Sequence, residues 1–241
     1  MMRYYYDLHI HSCLSPCADN DNTPNNLVGM AYLSGINVLA LTDHNTAKNC
    51  PAFFEAAKKY GIVPIAGMEV TTQEDIHAVC LFEELDSALK FDAYLQKRRV
   101  LIKNREEIFG EQLILDEEDN VVGKEEYLLP NATTISLDEL PVLVHQYGGI
   151  CYPAHIDRDA NGIIAILGTV PNTPHFSCVE IRDADKIDEY AKNYGLSDKL
   201  FIVSSDSHYL TDIQEKNNYF EFNCEEASDD DVRAQIFKLL K

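Results

Sequence analysis

Basic residues are scarce in this chain. Lys and Arg number 20 against 40 Asp and Glu in 241 residues, a formal net charge of −20. A surface this acidic repels phosphate backbones as a whole. A broad polynucleotide footprint needs many Lys and Arg contacts, so long nucleic acid is not an expected partner. A small anion can still bind where metal cations reverse the local field. Long apolar runs are also lacking, with nothing near the ~18 consecutive residues of a membrane span. The opening Met1-Met2-Arg3-Tyr4-Tyr5-Tyr6-Asp7 has no charged-then-apolar leader pattern. The expectation is a soluble, cytoplasmic protein with no membrane partner. The seven cysteines have no disulfide-framework spacing. They read as buried thiols, with room for one ligand among them, rather than as bridges. Solenoid repeats and low-complexity tracts are absent as well. What remains, 46% apolar and 25% charged, is ordinary globular composition with enough chain for one sizeable core.

Strand and helix signals alternate along the first part of the chain. Tyr4 to Ile10 reads as a strand, followed by a polar loop from Ser12 to Asn22. Thr23 is an N-cap and Pro24 fits the first helical position, opening a helix that runs to Ser34 before Gly35. Asn37 to Leu41 and Ile62 to Ala66 are short apolar runs, the pattern of strands buried on both faces. Pro51 to Tyr60 reads as the helix between them. Ile76 to Phe82, Gly149 to Pro153, Val179 to Ile181 and Leu200 to Val203 supply further strands, and Asp230 to Leu240 a last helix. An acidic connection, Glu221 to Asp231, precedes that helix. This alternation predicts parallel βα units. Polar residues cluster after strand ends, as at the active face of (β/α) barrels, which favours a closed ring over an open doubly wound sheet. Residues 1–241 are read as one domain. Residues 97–140 are taken as an insertion containing a β-hairpin, Gln112 to Leu115 and Val121-Val122 around an acidic turn. Asp86 to Ile108 is expected to be one long helix. Its basic residues Lys97, Arg98, Arg99, Lys103 and Arg105 read as a solvated face.

The eight histidines carry the chemistry. His9 and His11 are two residues apart on a strand, so their imidazoles share one face. His44 follows a strand in Thr42-Asp43-His44, and Glu69 ends one in Gly67-Met68-Glu69. His77, His155 and the pair Asp206 and His208 complete the set. Any one of these alone is more often a hydrogen-bonded structural residue than a ligand. Together, imidazoles and carboxylates recur at one topological position, and that combination suits zinc, iron or manganese. The number of ligands exceeds the roughly three a catalytic zinc takes, so a cluster of two or three ions is expected. His145 and His175 lie outside these motifs and are read as structural.

Five segments taken in order resemble the motifs of the PHP (polymerase and histidinol phosphatase) family. They are Asp7-Leu8-His9-Ile10-His11-Ser12, Leu41-Thr42-Asp43-His44-Asn45, Gly67-Met68-Glu69-Val70, Pro153-Ala154-His155 and Ser205-Asp206-Ser207-His208. The resemblance implies a distorted (β/α)7 barrel and a trinuclear, metal-dependent phosphoesterase of the stand-alone type. It implies one ion on His9, His11, Glu69 and Asp206, and a second on Glu69, His77 and His155. A third falls to His44, His208 and a ligand from the first loop. Many relatives carry His-Ser-x-x-Ser-Asp-Gly in that loop, whereas this chain has a longer one without the Gly. Counting back from Pro24 places Asp19 at the ligand position, and counting forward from His11 places Cys17 there. Asp19 is preferred because a hard carboxylate suits a labile ion.

The expected reaction is hydrolysis of a phosphomonoester or phosphodiester by a hydroxide bridging the ions that share Glu69. The cations neutralise charge on the phosphate oxygens. Asp43 is expected to orient His44 or a water. Arg158 is the cation best placed for the substrate phosphate, unless a neighbouring Asp takes it. Expected substrates are small phosphorylated molecules, nucleotides or short oligonucleotides. The rivals are a 5′-3′ exonuclease on longer nucleic acid, a metal-dependent amidohydrolase, and a metal-binding domain without catalysis. An amidohydrolase usually needs a Lys ligand, and no Lys here ends a buried strand.

Overall fold

The computed structural model describes residues 1–222 and 227–241. Strands β1 (Met2–Ile10), β2 (Val38–Leu41) and β3 (Val63–Thr71) lie side by side in parallel, connected by α1 (Pro24–Leu33) and α2 (Cys50–Tyr60). The helix ends follow from sequence. The Thr23 side chain accepts the Asn26 N–H ahead of Pro24, and Gly61 ends α2 at φ +65°, a conformation costly for residues with a Cβ.

The parallel pattern expected throughout breaks at β4 (His77–Phe82), which pairs antiparallel with β3. Only the short segment 72–76 joins the two strands. A parallel crossover takes roughly a dozen residues or more, so the chain turns back instead, with Asp75 at φ +65°. β7 (Gly149–Pro153) pairs antiparallel with β4, and β10 (Tyr219–Phe222) pairs antiparallel with β1. The sheet order is β10-β1-β2-β3-β4-β7. β8 (Cys178–Ile181) and β9 (Leu200–Val203), preceded by α6 (Ile163–Leu167) and α7 (Ile187–Asn193), form a separate parallel pair. Hydrogen bonds at the ends of this pair tie it to both sides of the large sheet. Ile156 N–H donates to the Glu180 carbonyl at 2.8 Å, and His11 N–H donates to the Ser207 carbonyl at 2.9 Å. The architecture is mixed α/β with a curled six-stranded sheet, and among the described residues continuous ladders do not close it into a ring of seven.

Both faces of the sheet are buried, which is why its strands read as unbroken apolar runs. Leu39 and Leu41 face the layer packed by α1 and α2, whereas Val38 and Ala40 face the cluster holding Val232, Ile236 and Phe237 of α8 (Asp229–Leu240). Gly67 is required inside β3. A Cβ there would meet the Cys80 carbonyl oxygen at 2.8 Å, so β4 could not lie this close. Residues 223–226 fall outside the described residues, so the acidic connection into α8 is described only at its two ends.

The expected long helix over Asp86 to Ile108 is broken. α3 (Leu85–Leu95) passes through a 3-10 turn at Gln96–Arg98 into extended chain, and only the short α4 (Glu106–Phe109) follows. The returning chain competes for the backbone here: Arg99 bridges to Thr133, and Lys103 to Tyr127. Two of the basic side chains are correspondingly spent on partners, while Lys97, Lys103 and Arg105 remain solvent-exposed. Arg98 bonds Glu139 at 3.1 Å, while Arg99 reaches Glu125 at 3.2 Å and the Tyr127 carbonyl at 2.8 Å. The hairpin forms as expected from β5 (Leu113–Leu115) and β6 (Val121–Lys124). α5 (Leu140–Gln146) then leads into β7. Among the described residues no helix is long and apolar enough to cross a membrane.

Candidate metal centre

The site is built at one rim of the curled sheet. β1 brings His9 and His11 to the same face, both fully buried. β3 brings Glu69. Because β4 runs antiparallel, His77 at its start reaches the same rim as Glu69 near the end of β3, where Thr71 pairs with His77. His155 follows β7, and Asp206 and His208 follow β9. Three of the residues with positive φ at non-glycine positions lie here: Asn45 at +51°, His155 at +28° and Asp206 at +52°. Such backbone conformations cost about 1–3 kcal/mol each and persist where the surroundings impose them.

Glu69 is the hub. Its Oε1 lies 2.8 Å from His77 Nδ1, 2.9 Å from His155 Nε2 and 3.5 Å from His9 Nε2. Its Oε2 lies 3.0 Å from His44 Nδ1 and 3.4 Å from His11 Nε2. Asp206 Oδ1 stands 3.4 Å from His9 Nε2 and 3.3 Å from His11 Nε2. Burial opposes charge on Glu69, yet His77, His9 and His44 hold its carboxyl well below the usual range. Burial also opposes charge on Asp206, and His9 and His11 bring it far down. Burial works against a charged His9 too, but Glu180, Glu69 and Asp206 hold its pKa well above the ordinary value. The clustered acids thus stabilise positive charge among them.

Hydrogen bonding fixes where the imidazole lone pairs point. Ser15 donates its hydroxyl proton to Asp43 at 2.7 Å, so it can only accept from His11 Nδ1 at 3.0 Å. His9 Nδ1 faces the Glu180 carboxylate at 2.8 Å, and His208 Nδ1 donates to the Asp206 carbonyl at 2.9 Å. In the neutral rings each Nε2 is therefore the bare nitrogen. Those of His9 and His11 face each other at 3.1 Å, an arrangement that repels unless a cation lies beside both. His44 Nδ1, His77 Nδ1 and Asp206 Oδ1 are buried without a hydrogen bond of good geometry. Buried polar atoms left in this state are costly, and metal ions would satisfy them. Three overlapping sets of ligand atoms lie within 4.8 Å of one another: His9, His11, Glu69, Asp206; His44, Glu69, His77; and His11, His44, His208. The residues fit a multinuclear metal centre. His77 groups with His44 and Glu69 here, while His155 approaches through Glu69.

A family model for the PHP domain matches residues 7–215. The chain belongs to the PHP domain family. A 5′-3′ exoribonuclease of Haemophilus influenzae is 39% identical over 112 residues, covering 45% of this chain and 39% of that protein. A lesion-specific endonuclease Q of Pyrococcus furiosus shares the fold at a TM-score of 0.67 and 15% identity, covering 99% of this chain and 56% of that one. A Bifidobacterium adolescentis chain described as a candidate metal-dependent phosphoesterase shares it at 0.55 and 17% identity, over 97% of this chain and 95% of that one. The chain thus spans well under two thirds of the exoribonuclease and of the endonuclease. Excluding long nucleic acid on net charge finds no support here, since the same fold occurs in an endonuclease Q solved on a 27-mer duplex.

A cavity of about 260 Å³ opens on this PHP centre, lined by Cys17, His44, Glu69, His77, Pro130, Arg158, Asn161, Asp206 and His208. Arg158 pairs with Asp206 at 2.6 Å, not with its neighbours Asp157 or Asp159. Asp43 does not line the cavity. Its carboxylate accepts from Ser12 N–H at 2.8 Å, Ser12 Oγ at 2.6 Å and Ser15 Oγ, and Ser15 Oγ in turn accepts His44 N–H at 3.1 Å. Asp43 thereby braces the first loop and acts on His11 and His44 through Ser15. Asp19 stands apart, exposed, with Oδ1 accepting the Asp21 N–H at 2.8 Å. Cys17 is exposed as well, but it lines the cavity together with His44 and His208. Burial opposes its ionisation, but the two imidazoles bring its pKa down to about 6. His145 and His175 line a different cavity, with Lys241. Sequence reasoning overlooked Glu180, which holds His9 and also accepts the His155 N–H at 3.0 Å. A lone acid inside the apolar run Cys178-Val179-Glu180-Ile181 was its signal.

Proposed function

We propose that this PHP domain is a metal-dependent hydrolase of phosphoesters, acting on nucleotides or on the ends of nucleic acid strands. Its scaffold is read as a distorted seven-stranded (β/α) barrel with residues 97–140 inserted. The observation that carries the reading is Glu69, a buried carboxylate within 3.5 Å of five imidazoles at the wall of an open cavity. When bound at such a centre, zinc, manganese or iron supplies a water acidic enough to yield hydroxide near neutral pH and neutralises phosphate oxygens.

The chain's own residues do the rest. Glu69 is shared between sets that also use His9, His11 and Asp206 on one side and His44 and His77 on the other. Glu180 fixes the ring of His9, and Ser15 fixes that of His11, so their Nε2 atoms stay aimed inward. Arg158, partly exposed at the cavity mouth, gives up its bond to Asp206 and takes a phosphate oxygen of the substrate. The cavity is near the lower end of the roughly 300–1,000 Å³ typical of small-molecule sites. It holds a reacting phosphate and little else, so it sets no limit on what extends outside. The exoribonuclease likeness makes an RNA end a natural candidate.

The test is kcat/KM of manganese- or zinc-loaded protein on a phosphomonoester, a mononucleotide, a short 5′-phosphorylated oligonucleotide and a long single strand. Turnover of at least one is expected. Metal-loaded protein that hydrolyses none of them overturns the proposal, and preference for the long strand extends it to the exonuclease reading.

A further inference from the structure

The third set of ligand atoms has no anion of its own. His11, His44 and His208 bring three imidazoles together, and His11 is shared with the set around Asp206. Three neutral imidazoles leave a divalent cation's charge uncompensated. The relevant side chain from the first loop is Cys17, which lines the same cavity as His44 and His208.

The loop is built to hold it there. Ala18 N–H donates to the Ser15 carbonyl at 2.9 Å, and Asp19 N–H donates to the His208 carbonyl at 2.9 Å. The first bond closes a turn around Cys17, and the second pins the loop against the motif that carries His208. The Asp19 carboxylate is turned away onto the Asp21 N–H. His44 is 4% exposed, and its Nδ1 lies toward Glu69 Oε2 at 3.0 Å, which leaves Nε2 as the ring nitrogen available to the third set.

We propose that Cys17 is the first-loop metal ligand and, with His44 and His208, forms a thiolate-containing site for a borderline-soft divalent ion such as zinc or iron. The proposal rests on reading the histidine cluster as a metal centre. On binding, the Cys17 S–H bond breaks, a sulfur–metal bond forms and the proton leaves to solvent. Sulfur favours zinc and iron, whereas carboxylate oxygen suits magnesium and manganese. The exchange of a carboxylate for a thiol in this loop thus narrows the choice of metal at one position while the Glu69 and Asp206 positions stay oxygen-containing.

Cobalt(II) is the probe, because a cobalt–thiolate bond absorbs in the near ultraviolet by charge transfer and imidazole or carboxylate ligation does not. Cobalt-loaded wild-type protein and the Asp19→Asn variant are expected to show the band. Cys17→Ser is expected to lose it together with part of the bound cobalt, as measured by elemental analysis. Cys17→Asp is expected to lose the band and regain metal as manganese. Far-ultraviolet circular dichroism confirms that each variant is folded. Wild-type protein that binds cobalt without the band, or a band that survives in Cys17→Ser, overturns the ligand assignment alone. Failure to take up any cobalt overturns the metal-centre reading along with it.

Discussion

The rim of the sheet and the segment 97–140 both collect charged and polar side chains, and they treat them in different ways. In that segment several basic side chains are paired with acids. Arg98 meets Glu139, Arg99 meets Glu125, Lys103 meets Glu126 and Lys124 meets Glu111. At the rim, five imidazoles surround one carboxylate, and buried nitrogen and oxygen atoms lie close together without hydrogen bonds. Paired groups hold that segment in place. Unmatched groups, braced from behind by Glu180, Ser15 and Asp43, are held ready for cations. The same residue types are structural where their lone pairs and protons meet, and functional where the lone pairs converge on a common point.

The largest effect expected from breaking this contrast is at Glu69. Glu69→Gln keeps the shape but removes the shared charge. Metal contributes several kcal/mol of transition-state stabilisation, so kcat/KM is expected to fall by roughly 10³-fold or more, with lower metal content by elemental analysis. Near-normal turnover would show that the carboxylate is not shared.

Glu180→Gln tests the bracing. It leaves the ligands intact but weakens the grip on His9, and loss of such a partner typically costs about 10–100-fold in metal affinity. Competition with a chelator measures it. Unchanged affinity would mean that packing alone orients His9.

In the insertion, Arg99→Met removes bonds to Gln96, Glu125 and the Tyr127 carbonyl. A cost of about 2 kcal/mol is expected from charged hydrogen bonds of this kind, read as a lower Tm with metal content unchanged. A loss of metal in this variant would erase the distinction between the two regions.

The smallest effect concerns Glu125. Burial opposes its charge, but Lys48 and Arg99 together hold its carboxyl below the ordinary 4.5. A carboxyl with a depressed folded pKa stabilises fully above its unfolded value and loses that contribution as the pH falls through the folded one. Glu125→Gln is therefore expected to cost about 1 kcal/mol at pH 7, with the gap to wild type closing in acid. Thermal unfolding between pH 3 and 7 checks it, and a gap that widens in acid would reverse the sign.

Much of the site was legible because its motifs are local. His9 and His11 share a face by strand geometry, and short apolar strands feed His44, Glu69 and Asp206 to one rim. The long helix over Asp86 to Ile108 was misread because its periodicity is real as far as Leu95. The contacts that end it come from residues about thirty positions later. Glu180 was passed over because nothing nearby in sequence tells a buried acid that its partner is His9, 171 residues away.

The sequence by itself determined the family and which imidazoles and carboxylates sit on the strand ends that gather at the rim, since each depends on spacings of a few residues. Tertiary structure decided the direction of β4, which loop side chain faces His44 and His208, and which acids support the ligands from behind. Loop register and buried pairing depend on where the backbone hydrogen bonds finally close. Asp19 illustrates this: its N–H holds the loop to His208, its carboxylate turns away, and Cys17 is left facing the site.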